Sequence, residues 1–483
     1  MAIDIPISDD ESNAKRCETT DGSDAKRRKI ADDESGEKLK HLVENTNWEV
    51  EEERRELLKQ LNTLIGDWSG PLPNLRDVFR KEEIDLLLIE FAQSFSPAEL
   101  EKLVKFVISS GYEDEGSDSR GLRTTLLHRV VKLNHPPLYR DELIRDLFRI
   151  YNEFKINCLD EETGLTHLHV ACMSGLDDVV KEFLEHGQDP NCFVAATEDS
   201  PLLLALKHGR KSVAELLLKS GALPNTDDNE GVTPLHVICE TAAAESSNKE
   251  NLPETFFEIN DQKKQVVQVN AWNEEGCTPL QLAVTYLMPR VVALLLDRGA
   301  DIDKFAFPDV SDLVEACTSR DDESSLRLVA GALAVCDILE AHGYAMKASD
   351  AQTIVEFFAE HELFKKTADI AERWYDCEEF VALADKVAIK PSVSLYLLIR
   401  TQPEEPEQVV SYLEFWEFAE RLSVELPQPW RHMCALHLGK MISRTFFERW
   451  GLEPYDHIAP SDPSATRDGN IFRQRAQHKT NSS

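Results

Sequence analysis

A four-residue motif recurs in the middle of the chain, as THLH at 166–169, SPLL at 200–203, TPLH at 233–236 and TPLQ at 278–281. The first residues of successive motifs are 34, 33 and 45 positions apart. A period near 33 residues indicates a stack of similar units, because one such unit cannot bury its own apolar face.

Other positions keep the same register inside these units. A glycine follows the first motif residue by 21 positions in three units, at Gly187, Gly221 and Gly299. Apolar residues recur at 13, 14, 17 and 18 positions; they are Val179, Val180, Phe183 and Leu184, then Val213, Ala214, Leu217 and Leu218, then Val291, Val292, Leu295 and Leu296. This combination of period and motif resembles the ankyrin repeat.

The residue types suit a helix–turn–helix unit. Thr or Ser caps the first helix, and Pro follows where a missing N–H costs nothing. Gly175 and Gly209 suit the left-handed turn that ends this helix, and the later glycines end the second helix before an extended finger. We therefore predict an all-α ankyrin-repeat solenoid of helix–turn–helix units with short β-hairpin fingers, flanked by helical units. Leu287 occupies the glycine position of repeat five, so the pattern does not predict the turn there.

The fourth motif position carries a histidine in three units. These residues are His128, His169 and His236, where TTLLH at 124–128 opens a looser first repeat. We interpret them as structural residues that bond backbone groups of their own turn region.

Composition shifts and helix signals divide the rest of the chain. Residues 1–45 lack apolar periodicity, whereas helical patterns begin near residue 47 and return after the repeats. We predict a disordered tail with a basic cluster over 1–45, an N-terminal helical unit over 46–113, about five ankyrin repeats over 122–305, a degenerate sixth repeat over 306–350, a C-terminal helical unit over 351–455 and a flexible tail over 456–483.

The charge balance excludes some classes of partner. The chain has 53 Lys and Arg against 88 Asp and Glu, a formal net charge of −35. Such a charge argues against a broad nucleic-acid or anionic-membrane surface. The first residues lack the apolar core of a secretory signal, and no apolar run approaches the ~18 residues of a membrane span. We expect a protein partner, with no nucleic acid and no membrane.

The sequence contains no motif that indicates catalysis. Glycine-rich phosphate loops, nucleophile elbows and the paired histidines of metalloproteases are all absent from it. The ten cysteines are at least 14 positions apart and form no CxxC pair, which favours reduced thiols over disulfides or zinc. Cys434 and His437 have a metal-like spacing but lack a second ligand pair. We predict no enzyme, no cofactor and no metal site.

Several stretches resemble a family of ankyrin-repeat proteins expanded in hymenopteran insects. They are NWEVEEERRELLKQL at 47–61, PLPNLRDVFRKEEIDLLL at 71–88, GLTHLHVACMSGLDDVVKEFLEHGQDPN at 164–191, FFEINDQKKQ at 256–265 and LRLVAGALAV at 326–335. Many members of that family end in a PRANC module, an F-box-like domain that recruits a Skp-type adaptor of a cullin ubiquitin ligase. No such module is recognisable here after Trp450. The resemblance covers about residues 47–455 and implies partner binding.

Five residues are candidate contacts with a protein partner. Trp272 is predicted at a finger tip, where an exposed indole is unusual and Trp is enriched among interface hot spots. The alternative is that its side chain folds back over the inserted residues of that repeat. Four others are expected on the concave side of the first helices; they are Met173, Lys207, His208 and Tyr286.

Basic residues near the start have the spacing of a bipartite nuclear-import signal. They are Lys15, Arg16, Lys26, Arg27, Arg28 and Lys29. The alternative is a solvated charge run in an acidic tail. We expect a nuclear or cytoplasmic protein, with an import receptor as a possible second partner.

Three functions remain open at this point. The first is a non-enzymatic scaffold that binds a protein through its ankyrin fingers and concave face. The second is a substrate receptor of a cullin-type ubiquitin ligase, which the resemblance implies. The third is an inhibitor that masks a transcription factor of the NF-kappa-B type, by analogy with other ankyrin stacks.

Overall fold

The described part of the chain is predominantly helical. The computed structural model describes residues 35–68, 70–114, 122–133, 136–244, 252–318, 325–361, 374–401, 406–428 and 430–451. In this part of the chain, the strands form one two-stranded sheet. The chain divides into two compact units, Met1–Leu216 and Leu217–Ser483.

In its described residues, the first unit contains nine helices that end before its boundary. They are α1 (35–44), α2 (Glu51–Gly66), α3 (Lys81–Ser94), α4 (Pro97–Ser109), α5 (Leu126–Val130), α6 (Pro137–Leu147), α7 (His167–Ser174), α8 (Asp177–Glu185) and α9 (Pro201–Lys207), with a 3-10 turn at Leu75–Asp77. Helix α10 (Lys211–Lys219) contains the boundary between the units.

The first helices of the repeats form one row in this unit. Helix α5 packs against α7, and α7 packs against α9. Helix α3 packs against the other side of this row, on α5, and α4 packs against α6. The pair α3–α4 therefore continues the repeat stacking on the N-terminal side of the first repeat.

Helix α1 corrects the expectation of a disordered segment up to residue 45. Residues 35–44 are helical, and the side chains of Leu39 and Val43 are buried. These two residues are four positions apart, so they lie on one face of a helix. So short an apolar stripe among charged residues does not stand out as a periodic pattern.

The second unit contains the remaining helices of the described chain. They are α11 (Pro234–Ala244), α12 (Leu252–Lys263), α13 (Pro279–Thr285), α14 (Pro289–Asp297), α15 (Val310–Thr318), α16 (Ser325–Ala341), α17 (Ala348–Glu360), α18 (Glu378–Ala384), α19 (Leu395–Thr401), α20 (Pro406–Val409), α21 (Tyr412–Glu425) and α22 (Trp430–Trp450), with a 3-10 turn at Trp374–Asp376.

In the second unit the helices form two rows. Helix α11 packs on α13, α13 on α15, and α15 on α17, while α14 packs on α16. Helices α21 and α22 form a further layer that packs on α16. At Gly331 the two layers approach so closely that a methyl group would lie 3.1 Å from Cδ1 of Trp416. Arg290 on α14 donates a 3.0 Å hydrogen bond to Glu417 on α21.

A short hairpin interrupts the C-terminal helices. Strands β1 (Ala388–Lys390) and β2 (Val393–Ser394) pair antiparallel. The sequence pattern predicts a helix opening at Pro391, but Pro391 lies in the hairpin turn and the helix begins at Leu395. Proline fits this turn because its φ is fixed and it has no N–H to pair, and the neighbouring β-branched residues favour extended backbone.

The turn at Leu287 is formed without a glycine. Leu287 takes the left-handed conformation with φ of 50° in the position where Gly175 and Gly209 have φ of 71° and 66°. The Leu287 side chain is 3 % exposed and belongs to the apolar core of the second unit. Burial of this side chain offsets the backbone cost of about 1–2 kcal/mol.

Cysteines and apolar helices give two further findings. The nine cysteines of the described chain are free thiols, and Cys17 lies outside the described residues. In the described ranges, no helix is both long enough and apolar enough to span a bilayer.

Candidate protein-binding surface

The repeat motifs cap their helices as predicted. The hydroxyl of Ser200 accepts a hydrogen bond from the backbone N–H of Leu203 at 3.2 Å. Thr166 and Thr278 make the same bond to the residue three positions on, at 3.4 Å and 3.3 Å. These bonds satisfy helix N–H groups that have no partner within the helix.

The motif histidines join each helix start to the next finger. In each case ring Nδ1 accepts from the N–H of the motif threonine, and Nε2 donates to a cysteine carbonyl in the following finger. The three sets are Thr125, His128 and Cys158 at 3.0 and 3.2 Å, Thr166, His169 and Cys192 at 3.1 and 3.3 Å, and Thr233, His236 and Cys277 at 3.1 and 3.2 Å. The structural interpretation of these histidines is confirmed. Burial lowers the pKa of His128 and of His169 to about 4.

Two neighbouring fingers of the second unit, residues 227–231 and 272–277, form what we call the Trp272 finger pair. In the first finger, Oδ1 of Asp228 accepts from the N–H groups of Glu230 and Val232, both at 2.9 Å. In the second, Oδ1 of Asn273 accepts from the N–H of Cys277 at 2.8 Å. These short hydrogen-bonded turns are the predicted hairpin fingers, and they are too short to count as strands.

The two fingers are also bonded to each other. The N–H of Glu274 donates to the carbonyl of Glu230 at 2.9 Å. A methyl group added at Gly231 would lie 3.2 Å from Cα of Asn273 and 3.3 Å from the carbonyl oxygen of Trp272. The finger pair is therefore a preformed surface whose backbone is held by local and cross-finger contacts.

Trp272 projects from this surface. Its side chain is 51 % exposed, which places it among the exposed large apolar residues of the described chain. Four carboxylates on the same two fingers are also exposed; they are Asp227, Glu230, Glu274 and Glu275. Glu275 and two other carboxylates, on Asp312 and Glu240, add to burial in raising the pKa of the Cys277 thiol. The surroundings of this finger are therefore electronegative.

The other four predicted contact residues lie in both units. Met173 is in α7, Lys207 is the last residue of α9, and His208 follows it in the first unit. Nζ of Lys207 is 2.7 Å from a carboxylate oxygen of Asp199. Burial lowers the pKa of His208. Tyr286 is the half-buried C-cap of α13 in the second unit. Each stays a predicted contact.

Some surface features escaped the sequence analysis. Phe193, in the finger after α8, is 65 % exposed, which makes it a second aromatic finger residue. The carboxylates of the Trp272 finger pair were also missed. Their signal is present in the sequence, since residues 220–244 and 265–289 contain six Asp and Glu and no Lys or Arg.

The basic cluster and the metal-like spacing of Cys434 and His437 are the remaining sequence features. The basic residues Lys15, Arg16 and 26–29 lie outside the described residues. Among the residues that the structure does describe, no group of His, Cys, Asp and Glu side chains could hold a metal ion. Cys434 is buried in α22, and His437 packs on Trp374 with ring centroids 5.9 Å apart.

Comparison with known proteins identifies the repeats. One family model, "Ankyrin repeats (3 copies)", matches residues 202–306, and another, "Ankyrin repeats (many copies)", matches residues 168–218. The human B-cell lymphoma 3 protein is 31 % identical over 148 residues, which are 30 % of this chain and 30 % of that protein. Human neurogenic locus notch homolog protein 4 is 30 % identical over 127 residues, 26 % of this chain and 6 % of that protein.

A bacterial protein with a similar segment is named as an enzyme. The phosphocholine transferase AnkX of Legionella pneumophila is 31 % identical over 134 residues, 28 % of this chain and 13 % of that protein. The chain thus spans less than a third of the length of each of these three relatives. Stacked repeats of this kind present extended surfaces to other proteins, and they imply a role in protein–protein interaction. Residues 168–306 of this chain are ankyrin repeats.

Proposed function

We propose that this chain is a non-enzymatic scaffold that binds a protein partner through its ankyrin fingers and the concave side of its first helices. The observation that supports this most directly is the half-exposed indole of Trp272 on a finger whose backbone is held in place. A rigid surface loses little conformational entropy on binding, and a Trp anchor contributes strongly to an interface.

Affinity capture with the intact protein from insect-cell lysate tests this proposal. Wild type is compared with Trp272→Ala, and bound proteins are quantified by mass spectrometry. Because truncation of a hot-spot Trp costs about 2 kcal/mol or more, we expect at least one partner to be depleted more than about tenfold in the variant.

The matched control is Phe193→Ala, which removes another exposed aromatic residue from a finger. Retention of the partner by this control and its loss from Trp272→Ala support an interface on the Trp272 finger pair. Equal recovery of the partner by wild type, Trp272→Ala and Phe193→Ala would contradict this interface. Capture of a Skp-type adaptor together with a cullin would replace the scaffold by a ligase substrate receptor.

We also propose that the basic residues Lys15, Arg16 and 26–29 serve as a nuclear-import signal. Their bipartite spacing in the sequence is the support for this assignment. The nuclear fraction of a fluorescent fusion protein, with and without alanine at these positions, measures it, and an unchanged fraction would exclude it.

A further inference from the structure

The exposed indole of Trp272 lies in a stretch without positive charge. Residues 220–244 and 265–289 supply the Trp272 finger pair and the helices next to it, and they contain no Lys or Arg. The exposed carboxylates of Asp227, Glu230, Glu274 and Glu275 make no ion pair within the described chain. Four negative charges thus accompany an aromatic surface with no cation of its own.

Two finger carboxylates of the first unit have a cation of their own chain as partner. Glu162, in the finger before α7, accepts a 2.5 Å hydrogen bond from Arg129. Asp199, in the finger that carries Phe193, is 2.7 Å from Nζ of Lys207. These two carboxylates are therefore compensated within the protein, unlike the four exposed carboxylates of the Trp272 finger pair.

From this charge pattern we propose that the Trp272 finger pair binds an arginine-bearing segment of a partner protein. The guanidinium group fits both parts of the surface, since it stacks on an indole face and forms paired hydrogen bonds with carboxylates. A lysine supplies the charge but not the planar stacking group. This inference rests on the proposed scaffold function and names the chemistry of the partner at one surface.

The rigidity of the fingers supports recognition of a cation at this surface. The side chains of Asp228 and Asn273 hold the two turns, and the bond between Glu274 and Glu230 holds their spacing. The carboxylates of Glu274 and Glu275 are therefore carried by backbone that does not have to order on binding. Such a site differs from diffuse attraction to a chain of net charge −35.

Fluorescence anisotropy with the full-length protein tests the inference. The probe is a labelled peptide of alternating arginine and glycine, and the reference probe has citrulline, the neutral isostere, in place of arginine. We expect the arginine peptide to bind and the citrulline peptide to bind at least about tenfold more weakly. We expect Trp272→Ala to weaken binding of the arginine peptide about tenfold, and Glu274→Gln with Glu275→Gln about fivefold.

A charge-matched control separates the site from general attraction. Glu182→Gln with Glu185→Gln removes the same charge from the exposed face of α8 and should change affinity by less than about twofold. Circular dichroism and thermal unfolding check that each variant is folded. Equal weakening by both double variants, or equal binding of the citrulline peptide, would overturn the inference.

The two proposals fail in different ways. If Trp272→Ala loses a captured protein but Glu274→Gln with Glu275→Gln retains it and the arginine peptide does not bind, the scaffold function stands and the basic partner is excluded. If Trp272→Ala loses no protein, the scaffold proposal fails at this surface whatever the peptide does.

Discussion

At the scale of single residues, histidine links two repeats through one neutral ring. Nδ1 of His169 accepts from the N–H of Thr166, so the ring proton must be on Nε2, which donates to the carbonyl of Cys192. Protonation of Nδ1 would place its N–H against the backbone N–H of Thr166, and the hydrogen bond would be lost. Burial acts in the same direction and lowers the pKa of His169, because the charged ring would lose its hydration in the core.

We predict that His169→Gln weakens the pH dependence of stability. The folded pKa of about 4 lies below the unfolded value near 6.5, so the histidine destabilises the fold as pH falls from about 6.5 to 4, by on the order of 3 kcal/mol at the end of that range. Gln281 makes the same capping bond in repeat five, with 2.8 Å from Oε1 to the N–H of Thr278. The variant should therefore keep the cap.

Urea denaturation at several pH values measures this effect. Near pH 7 the variant should be less stable by about 1 kcal/mol, because the bond to Cys192 is lost. The deficit should shrink as the pH falls towards 4. A constant difference between wild type and variant at all pH values would contradict the prediction.

At the scale of an element, the residue in the left-handed turn after a repeat helix affects the stability of the fold. After α12 the left-handed position is occupied by Lys264, with φ of 57° and an exposed side chain. After α13 it is occupied by Leu287, which is buried. Both residues have the cost of a left-handed backbone, but only the side chain of Leu287 gains stability from burial.

The substitutions Lys264→Gly and Leu287→Gly should therefore have opposite effects. Lys264→Gly relieves the left-handed strain and is expected to raise the free energy of unfolding by up to about 1 kcal/mol. Leu287→Gly removes a buried leucine and is expected to lower it by about 2 kcal/mol or more. Chemical denaturation of the two variants decides, and a shift in the same direction for both would refute the argument.

At the scale of the whole molecule, buried charges join the N-terminal helices to the first repeat within the first unit. Arg123 pairs with Asp114 at 2.7 Å and with Asp85, and the Tyr151 hydroxyl donates to Asp85 at 2.9 Å. Lys81 lies 3.0 Å from the other oxygen of Asp114. Burial raises the pKa of Asp85, and the nearby Arg123 opposes this shift. Two carboxylates thus face two cations, and the cluster is neutral.

Arg123→Met is predicted to destabilise the first unit by about 3–5 kcal/mol, because it leaves the carboxylate of Asp85 buried without its cation. Arg55→Met is the control, since Arg55 pairs with Glu51 on the exposed surface of α2 and should cost less than about 1 kcal/mol. Thermal and urea unfolding give both values. Equal effects of the two variants would show that the buried cluster does not stabilise this unit.

Features that depend on local chemistry could be predicted from the sequence. Motif spacing, threonine caps and left-handed glycines predicted the repeat helices and their turns, and they placed Trp272 on a finger, whereas the exposure of its indole is seen only in the structure. These features recur with a fixed period, so the same pattern can be recognised in several repeats of one sequence.

Features that depend on residues far apart in the chain could not be predicted and are seen only in the folded protein. Leu287 is left-handed because a distant core buries its side chain, α1 forms because its two apolar residues find a surface, and α21 lies on α16 where Gly331 leaves room. Arg123 and Asp85 are 38 positions apart and meet through packing alone. Each of these contacts occurs once in the chain, so it leaves no repeating pattern in the sequence from which it could be predicted.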